Sequence, residues 1–193
     1  MFKLNKKEAE YYLIKIFDFI ENGDSKFKGH PGLYFFHTKT ELKEKINELL
    51  SENEYDEFDL YYITSLLIKF MLGRYDSHTK VSFKDNIYIP IDFTVEENSL
   101  YVTNISPIYK KLIGGKLLKI NNIDIQRILC ELEEIICYST KEHLLVMIQS
   151  FLSDVNVLKS LPSIENNTKE FIYTILNDNN EKENITFNIN NLP

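Results

Sequence analysis

The chain has 193 residues, of which 44% are apolar and 26% charged, and this composition is typical of a folded domain rather than a disordered segment. Its 13 Phe and 12 Tyr supply enough apolar area for one large or two small compact units. The net charge is −7, because 29 acidic residues are mixed with 22 Lys and Arg. Nucleic acid is therefore excluded as the main partner, since phosphate contacts need a concentrated basic face.

Charged side chains interrupt the start of the chain. They are Lys3, Lys6, Lys7, Glu8, Glu10 and Lys15. Neither the apolar region of a signal peptide nor a membrane span fits this pattern. The sequence as given predicts a cytoplasmic chain without a membrane span, or an exported chain whose leader has been removed.

The N-terminal part of the chain has a helical pattern. Apolar residues recur at helical spacing over Ala9–Ile20, and the helix is expected to end at Asn22-Gly23. A capping box at Thr38–Glu41 begins a second helix. A third, over about Asp56–Leu72, is apolar on almost every side, which is typical of a helix in the middle of a bundle. We predict a helical domain over residues 1–80.

From His78 the pattern changes to period two, which indicates a strand over residues 78–83. Two strands at 86–93 and 99–105 follow, and the glycine turn at Gly114-Gly115 precedes a short buried strand. Helices are expected from Asp124 and over Thr140–Lys159, before a C-terminal hairpin. The predicted fold class is α+β, with a mixed β domain that carries inserted helices over residues 81–193.

The two cysteines, Cys130 and Cys137, lie on one predicted helix. Their spacing corresponds to roughly 10 Å along the helix axis, beyond the reach of a disulfide. No CxxC or clustered His accompanies them. We predict two free thiols outside the main core, and no zinc site.

Three elements in succession carry a resemblance to a known family. They are a helical part that ends in Asp76-Ser77-His78-Thr79, a pair of strands, and the segment Leu112–Asn122, which reads LIGGKLLKINN. This succession is similar to the N-terminal half of the C-terminal-processing, or tail-specific, serine peptidases of the tricorn-like type. The resemblance covers most of the chain, and it implies a helical bundle followed by a PDZ-like peptide-binding domain.

The glycine segment resembles the family pattern Gly-Asp-x-Ile-Leu-x-Ile-Asn-Gly, but Lys116 replaces the Asp and Asn122 replaces the last Gly. The resemblance implies that Gly114 and Gly115 bind substrate. The two departures argue against the usual capture of a C-terminal carboxylate.

The resemblance also implies a catalytic role for His78. In tricorn-like members the corresponding His is general base to a Ser from a later catalytic domain, whereas in Ser-Lys members the base comes from that later domain and His78 would be structural. A His with a pKa of about 6.5 can take a proton from a serine hydroxyl at neutral pH. Asp76 is one candidate to orient the imidazole, because residues i and i+2 share a face of an extended chain. The resemblance implies the alternative of a downstream carboxylate, which usually takes this part in the family. Asp76 equally suits a turn after the helix.

Other patterns do not indicate a site. The sequence contains no P-loop, GxGxxG, GxSxG, HExxH or EF-hand motif, so we predict no cofactor and no metal. Ser150 and Ser153 lie in a predicted helix without a glycine elbow and are not expected to be nucleophiles. His30 and His37 flank an aromatic run and are expected to lie in a packed loop. A metal-dependent hydrolase built from Asp76, His78 and a loop His is a third hypothesis.

The leading hypothesis is the N-terminal, non-catalytic region of a tail-specific-protease-like serine peptidase. It would bind and position a polypeptide substrate for an active site completed by the C-terminal catalytic domain of the parent protein, and the chain alone is predicted to be inactive. The alternative is a stand-alone PDZ-like peptide-binding or scaffold module without enzymatic role. A reading frame that continues past codon 193 into a glycine-flanked serine would favour the first hypothesis, and a stop codon would favour the second.

Overall fold

In a computed structural model of the protein, residues 3–22, 39–51, 57–72, 80–97 and 99–192 are described. The chain divides into two compact units. One comprises Met1–Ser82 with Glu134–Thr140, and the other comprises Phe83–Glu133 with Lys141–Pro193. Helices and an antiparallel sheet are both present, which confirms the α+β class. The first unit also takes in Glu134–Thr140, a segment that the sequence assigned to the second domain.

The first unit contains three helices: α1 at Lys6–Asn22, α2 at Lys39–Ser51 and α3 at Leu60–Leu72. Two short strands, β1 at Lys3–Asn5 and β2 at Glu57–Asp59, pair antiparallel. The sequence predicted helix from about residue 56, but residues 57–59 pair with the chain start instead.

Asp59 explains where α3 begins. Its Oδ1 accepts hydrogen bonds from the amides of Tyr61 and Tyr62 at 2.9 and 3.3 Å, which satisfies two of the free N–H groups of the first turn. An Asp in this role ends β2 and begins the helix.

The core of the first unit is apolar and is formed by side chains from α1, α2, α3, β1 and the segment Glu134–Thr140. Its buried members are Leu4, Ala9, Leu13, Ile46, Leu50, Ile63, Leu67, Ile68 and Cys137. The prediction that both cysteines lie outside the core is wrong for Cys137, which is 7% exposed. The helix that carries Cys130 ends at Ile135, so its periodicity does not extend to Cys137. Cys130 is exposed as predicted, and neither cysteine forms a disulfide.

The second unit is built on a six-stranded antiparallel sheet in the order β3-β4-β5-β7-β8, with β6 paired to β5. The strands are β3 at Ile91–Glu96, β4 at Ser99–Ile105, β5 at Lys116–Ile120, β6 at Ile123–Asp124, β7 at Glu170–Leu176 and β8 at Lys182–Asn188. The predicted glycine turn, buried strand and C-terminal hairpin are confirmed. Strand β3 begins later than the predicted residue 86 and extends further. In this sheet, β3 and β8 are the terminal strands.

Alternation along these strands buries one face of the sheet. The buried members are Ile91, Phe93, Leu100, Val102, Ile105, Leu117, Ile120, Phe171, Tyr173, Ile175, Ile185 and Phe187. Residues 80–90 form no strand, so the strand predicted over 78–83 is wrong for its described part. Their backbone instead makes an isolated bridge between Tyr88 and Asp154.

Three helices accompany the sheet strands: α4 at Ile125–Ile135, α5 at Lys141–Phe151 and α6 at Val155–Ser160. The single helix predicted over Thr140–Lys159 is therefore two helices. The Asp154 Oδ1 accepts hydrogen bonds from the amides of Asn156 and Val157 and caps α6. Shorter 3₁₀ helices lie at Pro107–Leu112 and Ile189–Asn191.

Among the described helices, none combines the length and the apolar character that a membrane crossing requires.

Candidate functional site

The residues with predicted catalytic roles, Asp76 and His78, lie outside the described residues, as do His30 and His37. Their roles stay predictions. The candidate site that the structure describes has two parts. One is the start of β3, and the other is the glycine turn at Gly114-Gly115, which joins β4 to β5.

The glycine turn is held by main-chain hydrogen bonds on both sides. The Gly114 amide donates to the Val102 carbonyl at 2.8 Å, and the Val102 amide donates to the Gly115 carbonyl at 3.0 Å. The Gly115 amide donates to the Leu112 carbonyl at 3.0 Å. Both glycine N–H groups therefore serve the junction between β4 and β5. The prediction that Gly114 and Gly115 contact a substrate stays a prediction.

Each glycine is required for a different reason. Gly114 has φ +87°, a conformation that L side chains rarely adopt. At Gly115 a Cβ would lie 2.6 Å from the Ile175 Cγ2 atom and 3.0 Å from the Leu112 carbonyl oxygen. Close approach of β7 thus requires glycine at position 115.

One side of the glycine turn is anchored by charged and aromatic contacts to the C-terminal hairpin. The Lys111 ammonium forms an ion pair with the Glu183 carboxylate, and the Tyr109 ring meets the Phe187 ring edge to face at 6.1 Å. The pKa of Glu183 is lowered, first by the hydrogen bond from Lys111 and next by that from Asn177. These contacts fix the 3₁₀ helix before the turn.

The terminal strand β3 is preceded by a turn whose amides are all engaged. The Ile89 amide donates to the Ser153 carbonyl at 2.8 Å, and the Ile91 amide donates to the Ile89 carbonyl at 2.8 Å. Pro90 between them has no N–H. The Val155 amide donates to the Ile87 carbonyl at 2.9 Å, which completes a bridge between this segment and the loop after α5. Helix α5 packs against β3.

The sequence reasoning missed this turn because it placed residues 86–93 in one strand. Pro90 was the available signal, since proline within a strand pattern indicates a terminal strand or a strand end. Asp154, the bridge partner, was also missed, because it appeared to lie inside a long helix.

Asp154, the residue that bridges Tyr88, carries a carboxyl group and is 3% exposed. Burial raises the pKa of its carboxyl, and the hydrogen bonds from the Val157 and Asn156 amides partly oppose that rise. At the start of β3, the amides of the turn are thus all engaged in hydrogen bonds, and the carboxyl group of Asp154 is buried.

The hydroxyls of Ser150, in α5, and Ser153, in the loop after it, make local hydrogen bonds. The Ser150 hydroxyl donates to the Met147 carbonyl at 2.8 Å, and the Ser153 hydroxyl donates to the Ser150 carbonyl at 3.5 Å. Such bonds to carbonyls in the preceding turn are the ordinary use of serine in a helix. Over the described residues, no group of three or more His, Cys, Asp or Glu lies close enough to hold a metal ion.

Comparison with solved structures finds the same fold in a serine protease. Similar chains are mature CPAF bound to lactacystin, a serine-to-alanine mutant of CPAF, and mature CPAF, with TM-scores of 0.59, 0.57 and 0.59 and sequence identities of 14%, 15% and 14%. Each match covers 95% of this chain and 34% of the CPAF chain, so the protein spans about a third of the CPAF length. CPAF is a chlamydial serine protease with a tail-specific-protease-like fold. No protein-family model and no curated protein matches the chain.

Proposed function

We propose that the chain is the N-terminal, substrate-positioning region of a tail-specific-protease-like serine peptidase. The helical domain is assigned to residues 1–80 and the PDZ-like domain to residues 81–193. The observation that carries the proposal is the similarity of fold to CPAF over 95% of this chain but only 34% of the CPAF chain. The motif Asp76-Ser77-His78-Thr79 supports it independently, because it precedes the sheet as it does in the tricorn-like family.

In this proposal the second unit binds an extended polypeptide. Strand β3 is terminal in its sheet, and such a strand presents main-chain N–H and C=O groups that another strand can pair with. Main-chain pairing supplies affinity without demanding one sequence, which suits a protein that presents unfolded chains for cleavage. The glycine turn holds β4, the strand next to β3, in register.

His78 is assigned as general base to a serine supplied by a catalytic domain of the parent protein. Its imidazole would take the proton of the serine hydroxyl during attack and return it to the leaving amine. Asp76 would accept a hydrogen bond from the second ring nitrogen and hold the ring in position.

The first test uses the 193-residue chain with a reduced, carboxymethylated protein as an unfolded substrate. We expect binding without hydrolysis, and no labelling by a serine-directed phosphonate. Hydrolysis accompanied by labelling would show that the chain carries its own nucleophile and would contradict the proposed division of labour. A folded chain that binds no unfolded polypeptide would contradict the proposed role altogether.

The binding edge is tested with proline in β3. Thr94 and Val95 are consecutive in the register with β4, so one of the two amides points toward β4 and the other away from it. Of Thr94→Pro and Val95→Pro, the variant that keeps the stability of the sheet is expected to lose binding. The matched controls are Asn184→Pro and Ile185→Pro on β8, where the variant that stays folded is expected to bind normally.

The role of His78 is tested in a polypeptide that joins this chain to a serine-bearing catalytic domain. His78→Gln is expected to lower kcat at least about 10³-fold with little change in KM, since only the proton transfer is lost. If His78 has only a structural role, His78→Gln would instead lower the free energy of unfolding and leave kcat of the folded fraction unchanged.

A further inference from the structure

We propose that the polypeptide taken by this chain is an internal segment of an extended chain rather than a free C-terminus. This inference rests on the proposed peptide-binding function and specifies its substrate class. It follows from hydrogen bonding at the start of β3 and at the glycine turn.

The direction of a bound strand determines which of its ends meets the start of β3. A strand that pairs antiparallel with Ile91–Glu96 runs in the opposite direction, so its C-terminal end lies beside the turn at residues 89–91. A free carboxylate at that end needs two or three N–H donors or a cation.

The turn at residues 89–91 has no amide left for this purpose. The Ile89 amide is engaged by the Ser153 carbonyl and the Ile91 amide by the Ile89 carbonyl, each at 2.8 Å. Pro90 has no amide hydrogen. The side chain of Asn156, in the first turn of α6, is also engaged, because its Nδ2 donates to the Asp85 carbonyl at 2.8 Å.

The glycine turn does not supply donors either. The amides of Ile113, Gly114 and Gly115 donate to the carbonyls of Lys110, Val102 and Leu112 at 3.2, 2.8 and 3.0 Å. The Gly114 bond joins the turn to β4, and the other two bonds close the turn itself, so freeing any of these amides would open the turn. Glycine at this turn therefore serves chain geometry and close packing, and not an anion nest.

The residue that bridges Tyr88 offers a terminal carboxylate no donor either. The backbone of Asp154 forms this bridge, and its buried carboxylate is itself an acceptor that already takes the amides of Asn156 and Val157.

The surface beyond the turn suits a chain that continues. Ile87 and Tyr88 are 37% and 53% exposed, and they directly precede the turn. An aromatic and an aliphatic side chain there give apolar contacts to a polypeptide that continues beyond the start of β3. An internal segment gains from this surface, whereas a chain that stops at β3 does not.

The test uses fluorescein-labelled peptides that tile β-casein, each about 15 residues long so that a strand of five or six has flanks on both sides. Every peptide is made with a free carboxylate and with an amide at its C-terminus, and binding is measured by fluorescence polarisation. We expect the two forms of each binding peptide to have dissociation constants within about twofold. We also expect a Gly-Ser extension at the C-terminus to leave binding intact.

Tyr88→Ala provides a second measurement on a surface residue. It is expected to weaken peptides with long C-terminal flanks by about fivefold and to leave peptides trimmed to the paired strand unchanged. A preference of about tenfold or more for the free carboxylate would overturn the inference while leaving the peptide-binding function standing. A folded chain that binds none of the peptides would overturn the proposed function, and this inference with it.

Discussion

The Tyr173 hydroxyl, in the middle of β7, donates a hydrogen bond of 2.7 Å to the main-chain carbonyl of Leu152, directly after the last residue of α5. Tyr173 is fully buried, and burial raises the pKa of its phenol, so it remains a neutral donor. A helix end leaves carbonyls without intrahelical partners. This bond supplies one partner and helps to separate α5 from α6.

Tyr173→Phe is expected to destabilise the protein by about 1 to 2 kcal/mol, because it removes the hydrogen bond and leaves the Leu152 carbonyl buried without that donor. Urea unfolding followed by circular dichroism measures the change. Tyr101→Phe on β4, at a partly exposed position, is the matched control and should cost less than about 0.5 kcal/mol. Equal effects of the two variants would contradict the role given to the Tyr173 hydroxyl.

Gly115→Ala is expected to destabilise by about 2 to 3 kcal/mol, because its Cβ would meet Ile175 and two main-chain oxygens at 2.6 to 3.1 Å. Gly114→Ala meets only the Asp178 side chain at 3.9 Å, so its cost comes from the positive φ alone, about 1 kcal/mol. Thermal unfolding of the two variants tests this order. A larger loss for Gly114→Ala would contradict the packing argument.

Glu131→Ala is expected to cost about 2 to 4 kcal/mol. The Glu131 side chain is 5% exposed and accepts hydrogen bonds from the Arg127 Nε at 2.6 Å, the Ser163 hydroxyl at 2.8 Å and the Ser163 amide at 3.2 Å. Arg127 is 63% exposed, so solvent screens the ion pair and Arg127→Ala should cost less than about 1 kcal/mol. Chemical denaturation of both variants distinguishes them. A similar loss in both would mean that the ion pair, and not the link to Ser163, stabilises this region.

Asp154 variants separate the helix cap from the buried charge. Burial raises the pKa of Asp154, so the folded state binds a proton more tightly than the unfolded state, and stability falls as pH rises above about 4. Asp154→Asn keeps a capping oxygen without the charge, so its stability relative to wild type should increase as pH rises. Asp154→Ala also removes the carboxyl, so its difference from wild type should change with pH in the same direction. Because it loses the cap, it should be less stable than Asp154→Asn by about 1 kcal/mol at every pH.

Urea unfolding at about pH 4 and at pH 8 measures this difference. Asp59, whose pKa burial also raises, is unchanged in every variant and therefore cancels in the comparison. The exposed Asp178→Asn is the matched control and should differ from wild type by less than about 0.5 kcal/mol at both pH values. A pH-independent difference between Asp154→Asn and wild type would contradict the assigned cost of the buried charge.

Local patterns predicted those elements whose cause is local. The amphipathic spacing of α1 and α2, the turn at Asn121-Asn122 and the C-terminal hairpin were all readable, because side-chain period and positive-φ residues act within a few positions. The glycine turn was readable for the same reason. The hydrogen bonds of its amides could not be predicted, since their acceptors include the Val102 carbonyl, which is distant in the sequence.

The errors have a common cause in contacts between residues far apart in sequence. The apolar periodicity predicted that one helix continues through residues 152–154. In the structure α5 ends there, because Tyr173 of β7 bonds to the Leu152 carbonyl and Asp154 bridges Tyr88. The same periodicity predicted that α3 begins earlier than it does, because the pairing of Leu4 with Phe58 cannot be predicted from either segment alone. Cys137 was placed outside the core because nothing local shows that its segment joins the first unit.

By itself, the sequence determined the fold class, most helices and the resemblance that makes His78 a candidate base, since each depends on residue types and short spacings. Only the tertiary structure decided that the amides at Ile89–Ile91 and Gly114-Gly115 are engaged within the protein and are not free to bind a ligand. The physical reason is that a hydrogen-bond donor has one proton to give, and its acceptor is chosen by chain segments that meet only in the folded protein.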